Sequence, residues 1–224
     1  MARKRNRYTR RKRNYRMRTV KRSAYRSFKR RLPNTATGYL AVRQKEITTL
    51  TIPAGPLPTG FVTKITFNLT NMANITEYRR LFDQYRICAV KYTLLPTTNT
   101  NDTVNQGMTF CSSIDLDSGV APATFPLLLE RANAKTSPWS TAGGMTPYKS
   151  IYLMPRFQNQ IVNDSSTGTT ATAIGNRKQW IDLADYQVDH HGLDLGWFSG
   201  AAVLNATQIV NVVITYYVQF RKIK

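Results

Sequence analysis

Lysine and arginine, spaced one to four residues apart and interleaved with aromatic rings, open this chain, and the chemistry they suit is the neutralisation of phosphate. The run comprises Arg3, Lys4, Arg5, Arg7, Arg10, Arg11, Lys12, Arg13, Arg16, Arg18, Lys21, Arg22, Arg26, Lys29, Arg30 and Arg31, and the first acid is Glu46. It holds 16 of the 32 basic residues; the 193 residues after Arg31 hold the other 16 against 12 acids, so +16 of the net +20 lies in the segment. Charge this dense repels itself and leaves too few apolar residues for a core, so residues 1–35 read as a disordered arm. Its natural counter-charge is a nucleic-acid backbone. Tyr8, Tyr15, Tyr25 and Phe28 are placed to stack on unpaired bases, at about 1–3 kcal/mol per base, the alternative being incidental spacing in a flexible arm. Base-specific readout is not expected, because nothing here forms a helix with a groove-reading face. Arg10, Arg11, Lys12 and Arg13, with Lys29, Arg30 and Arg31, are the densest clusters and read as a nuclear address. A mitochondrial transit peptide fits less well, for want of an amphipathic pattern. A merely solubilising tail is a poor reading, since these cations would bind nucleic acid in any case.

Beyond the arm, chemistry-bearing patterns are sparse. Cys88 and Cys111 make neither a disulfide framework nor a zinc spacing and read as free thiols in a reducing compartment. His190-His191 could titrate near 6.5 as an endosomal switch, although a solvated pair in a polar loop is the plainer reading. Asp115-Leu-Asp117-Ser-Gly119 begins like a calcium loop but lacks the later ligands, so no metal is expected. No nucleophile triad, phosphate-cradling glycine loop or carboxylate pair stands out, so neither an enzyme nor a cofactor is expected. Trp139, Trp180 and Trp197 read as core or subunit-contact anchors. No apolar run approaches the ~20 residues of a membrane span, and no signal-peptide stretch is present. The Asn-x-Ser/Thr triplets at Asn68, Asn74, Asn101, Asn163 and Asn205 then read as polar loop residues.

The elements behind these residues are mostly strands. The body is rich in Thr, Tyr, Val and Ile with Pro and Gly punctuation. Strands are predicted over residues 39–52, 61–69, 85–95, 108–116, 150–157, 178–183, 193–198 and 208–222, with a short strand or loop at Pro138-Trp139-Ser140. Pro155 is expected to mark an edge or bulge, and residues 158–176 a long mobile loop. Asn74, with Glu77 three residues on, predicts an N-cap and a short helix bearing Tyr78, Leu81 and Phe82 on one face; 123–132 predicts another. In the last strand Val210, Val212, Ile214, Tyr216, Val218 and Phe220 point one way and Asn211, Thr215, Gln219 and Arg221 the other, which suits the centre of an antiparallel sheet. The absence of βαβ alternation excludes a parallel fold. The fold expected for residues 36–224 is all-β: an eight-stranded antiparallel jelly roll, a two-sheet sandwich with short loop helices.

Trp180-Ile-Asp-Leu, Val188-Asp-His-His-Gly-Leu-Asp-Leu-Gly, Tyr217-Val-Gln-Phe-Arg and Tyr85-Arg-Ile-Cys-Ala-Val-Lys-Tyr, set behind a basic arm, resemble the capsid proteins of circoviruses and related small circular single-stranded DNA viruses. The arm departs from pure Arg blocks, mixing in Asn, Tyr and Ser, which leaves the genus open among circovirus-like, cyclovirus-like and other related viruses. The resemblance implies a coat protein whose partners are sixty copies of itself in a T=1 shell and the viral single-stranded DNA, held by the arm. It further implies host nuclear-import receptors, attachment of outer loops to a cell-surface receptor such as an acidic glycan, and residence in the virion and host nucleus. The competing readings are a ribosomal-type cellular nucleic-acid-binding protein with a basic extension, against which the nearly balanced body counts, and a lectin-like jelly roll.

Overall fold

The structure is a computed structural model that describes residues 39–53, 55–56, 60–96, 108–116, 120–139, 148–162, 170–174, 179–199, 203–204 and 207–221. The whole basic run, the boundary expected near residue 35, Asp117–Gly119 and the triplets at Asn101, Asn163 and Asn205 lie outside the described residues.

Among the described residues, rich in β-branched and aromatic side chains, there are thirteen strands: β1 (Tyr39–Ile52), β2 (Gly55–Pro56), β3 (Phe61–Phe67), β4 (Gln84–Pro96), β5 (Met108–Ser113), β6 (Lys135–Trp139), β7 (Lys149–Leu153), β8 (Arg156–Val162), β9 (Thr170–Ile174), β10 (Ile181–Asp182), β11 (His190–Phe198), β12 (Val203–Leu204) and β13 (Gln208–Arg221). Eight of them form nested antiparallel pairs, β1 with β13, β3 with β11, β4 with β7 and β5 with β6. Folding a chain back on itself in this nested way is what makes a jelly roll. One sheet runs β1-β13-β4, with β7 and β10 both along the far side of β4; the other runs β6-β5-β11-β8-β9, with β3 on the free side of β11. The expected two-sheet antiparallel sandwich is thus present.

β13 lies between β1 and β4 and carries the strongest alternation. Val210, Val212, Ile214, Tyr216, Val218 and Phe220 are all buried between the sheets, as the sequence predicts. From the opposite sheet, Phe67 meets Tyr92 edge-on at 6.1 Å, and Trp197 meets Trp139 at 5.6 Å and Phe110 at 5.3 Å. Burying this many rings is the main source of cohesion in the sandwich.

Several expectations need correction. Residues 158–176 are not one long loop, because Gln158 to Val162 pairs with Thr170 to Ile174 as a hairpin. The Thr-Ala-Thr-Ala-Ile alternation favours strand, and the polar composition hid it. The single strand expected over 150–157 is two, one in each sheet: β7 pairs with β4 and β8 with β11, so Pro155 stands where the chain crosses between sheets. Asn74 precedes helix α1 (Ile75–Leu81), but in a left-handed conformation (φ 63°, ψ 17°) and with no side-chain cap. Its carbonyl instead accepts from the amides of Glu77 (3.0 Å) and Tyr78 (3.1 Å). Asn tolerates this conformation better than most residues. Tyr78 and Phe82 stack on Phe220 at 4.7 and 5.7 Å, whereas Leu81 turns outward, 61% exposed. The second helix, α2, is only Phe125–Leu129, with Phe125 and Leu128 buried.

Candidate functional site

Register alone defines the outer face of the β1-β13-β4 sheet. Tyr39, Arg43 and Lys45 of β1 lie opposite Arg221, Tyr217 and Thr215 of β13. Arg221, Gln219 and Thr215 in turn lie opposite Gln84, Arg86 and Lys91 of β4, and Tyr152 of β7 lies beside Lys91. Paired residues share a face, so Arg43, Lys45, Arg86, Lys91 and Arg221 all emerge on the side away from the core. Asp182, opposite Gln84, is the one carboxylate among the described strand residues that this register adds, and its Oδ1 accepts from the Ala184 amide at 2.8 Å. Glu46 alternates to the core side, where burial, reinforced by this carboxylate, raises the Tyr216 phenol.

Neutral groups take part in orienting the arginines. Arg86 donates from Nε and Nη2 to Gln219 Oε1 (2.8 and 2.6 Å), and Arg221 Nε donates to Gln84 Oε1 at 2.6 Å. Both guanidiniums lie over Trp180, at 4.4 and 4.6 Å from the ring centre, and Tyr39 stacks on the same indole at 5.5 Å. Arg43 lies over Tyr217 at 5.9 Å, and Tyr152 meets that ring edge-on at 6.1 Å. Amide oxygens and ring faces orient a guanidinium without cancelling its charge. Trp180 is therefore the anchor of this surface cluster, while Trp139 and Trp197 are core.

The other sheet carries charge of a different kind. Lys64 Nζ lies 3.2 Å from Asp194 Oδ1 and 3.3 Å from Asp115 Oδ2. Arg131 Nη1 bonds Asp115 Oδ2 at 2.7 Å and also Asp194 Oδ2. Asp194 is wholly buried, and burial pushes its carboxyl up against the opposing pull of Lys64 and Arg131. The cluster is neutral and ties β3, β11 and the segment after α2 together. Asp115 is thus committed to two cations, which disposes of the calcium-loop reading of that carboxylate.

The histidine pair is not in a polar loop. Both residues lie in β11, His190 is buried, and its Nδ1–H donates to the Val188 carbonyl at 2.9 Å. Desolvation drives its pKa down to about 4, below the range in which an endosomal switch would act. Cys88 and Cys111 are both free, as expected, and burial raises both thiols. Among the described residues no helix is long and apolar enough to cross a membrane. The sixteen basic residues between Arg3 and Arg31 lie outside the described residues, so the sheet face and the ion cluster are what the structure adds.

A family model described as "Circovirus capsid protein" matches residues 2–224. Among solved structures, the 60-mer of BFDV capsid protein aligns with a TM-score of 0.60 at 20% identity, covering 82% of this chain and 94% of that one. The decameric BFDV capsid protein gives 0.52 at 21% identity, over 82% and 99%. A Cucumber Leaf Spot Virus structure gives 0.51 at 14% identity, over 84% of this chain and 52% of that one. Comparison with curated sequences gave no match. These likenesses show a shared fold, and the family model runs through arm and body alike. The chain belongs to the circovirus capsid protein family.

Proposed function

We propose that this chain builds a closed T=1 shell of sixty copies and packages a circular single-stranded DNA genome. The observation that carries the reading is one chain uniting a family jelly roll with 16 cations, and no acid, between Arg3 and Arg31. Its relative in fold, the BFDV capsid protein, has been solved as a 60-mer. Residues 1–35 are the packaging arm and 36–224 the shell domain. Sixty arms would neutralise on the order of 1,000 phosphates, each contact releasing counterions. The clusters at Arg10–Arg13 and Lys29–Arg31 engage host import receptors and take the protein to the nucleus. Outer loops attach the particle to a cell-surface receptor, with an acidic glycan as the candidate class.

The test is negative-stain electron microscopy of the full-length protein expressed alone, before and after nuclease, beside the same protein lacking residues 1–31. Uniform closed particles holding nuclease-protected nucleic acid only when the arm is present are expected. Monomers, or clumps that nuclease disperses, would overturn the reading.

A further inference from the structure

We infer that the outer face of the β1-β13-β4 sheet is a second nucleic-acid surface, built for single-stranded DNA, and that this face turns toward the packaged genome. The inference deepens the packaging reading and rests on it for the choice of ligand, but its residues are separate from the arm.

Three observations converge. First, charge is segregated: Arg43, Lys45, Arg86, Lys91 and Arg221 share this face with one register-placed carboxylate, Asp182, whereas the charges of the Lys64 cluster on the other sheet cancel one another. Second, the spacing suits an extended polyanion. Arg43 and Lys45 stand about 7 Å apart along one strand, and Lys45 and Lys91 about 10 Å apart across two strand intervals. Third, rings stand among the cations. Tyr39, stacked on Trp180, and Tyr152, packed edge-on against the buried Tyr217, are 43% and 44% exposed, and unpaired bases stack on such exposed rings whatever their sequence.

The exposed rings, together with the packaging reading on which the inference rests, decide which polyanion this is. A sulfated glycan would match the charge but carries no flat base to stack on the exposed rings.

The test uses the full-length chain carrying Lys45→Gln and Lys91→Gln, titrated with a dT oligonucleotide and separately with heparin over a range of salt. Losing two phosphate contacts should lower the slope of log affinity against log salt by about 1.4, at roughly 0.7 per contact on single strands. Lys135→Gln, on the other sheet, should leave the slope unchanged, and removal of residues 1–31 should lower it independently of the pair. An unchanged dT slope in the double variant overturns the inference even where the arm deletion confirms the arm; a slope lost only for heparin assigns the face to glycan and also overturns it. A second readout does not depend on variants: photocrosslinking 5-iodouracil oligonucleotides to the wild-type chain should label peptides carrying Tyr39 or Tyr152. Labelling confined to residues 1–38 would refute the surface.

Discussion

Breaking the buried ion cluster by one charge should cost far more than removing a matched pair of its charges. In Asp194→Asn the carboxylate becomes a neutral isostere, and Lys64, whose side chain is 6% exposed, then shares Asp115 alone with Arg131. At 3.2 Å the Lys64–Asp194 attraction is about 5 kcal/mol at an effective dielectric of 20, before desolvation. Burial outweighs that attraction in setting the Asp194 carboxyl, so the pair gains little net and its desolvation cost stays in place when one member is lost. Asp194→Asn and Lys64→Met are each expected to destabilise by about 3–5 kcal/mol, a large share of the 5–15 kcal/mol of a typical domain. The double variant leaves Asp115 and Arg131 bonded at 2.7 Å and restores neutrality, so it should cost less than either single change. Urea unfolding followed by the fluorescence of buried Trp197 and Trp139 reads all four proteins, at one protein concentration because assembly adds to apparent stability. A double variant that costs the sum of the two singles, or singles that cost under about 1 kcal/mol, would refute the reasoning.

Other consequences are simpler to state. His190, lowered from 6.5 to about 4, favours its neutral form, so stability is intact above pH 6.5 and up to about 3 kcal/mol is lost as pH falls toward 4; urea midpoints between pH 7 and 4 measure this, and an imidazole titrating near 6.5 by NMR would contradict it. Val212→Asp puts a charge at a fully buried site of the central strand and should abolish folding, so a soluble, folded variant by circular dichroism would mean the face is misassigned. Gly60 has φ +78°, and a Cβ there would stand 2.4 Å from Phe125 Cβ, so Gly60→Ala should cost about 2–5 kcal/mol, read as a lowered urea midpoint. Removing residues 1–31 should abolish nuclear accumulation of a fluorescent fusion, and an undiminished nuclear signal would sink the import reading.

Alternation made much of the sandwich legible. β1 and β13 follow from period two alone, since each strand has one face on the core. The β8–β9 hairpin did not, because Thr, Ser and Asn serve strands and loops alike and only pairing decides between them. Pro155 marked a discontinuity without showing that the chain changes sheets there. The histidines were misplaced because His-His-Gly looks polar locally, whereas burial of His190 depends on Phe157 and Phe67 from distant strands. The ion cluster had only a faint signal, an aspartate between leucines in Gly-Leu-Asp-Leu-Gly. Its partners lie 51 and 63 residues apart in sequence along the Lys64–Asp115 and Arg131–Asp194 contacts.

The body's modest net charge includes two opposite arrangements. On one sheet Lys64 and Arg131 are consumed by Asp115 and Asp194, and their work is to hold secondary structure together. On the other, arginines are oriented by glutamine and tryptophan, neutral partners that fix geometry. Composition cannot separate these cases, because an arginine beside an aspartate and an arginine beside a glutamine count equally toward +4. Register separates them, since it decides which charges share a face. A body that looks nearly neutral can therefore gather charge of one sign on one face.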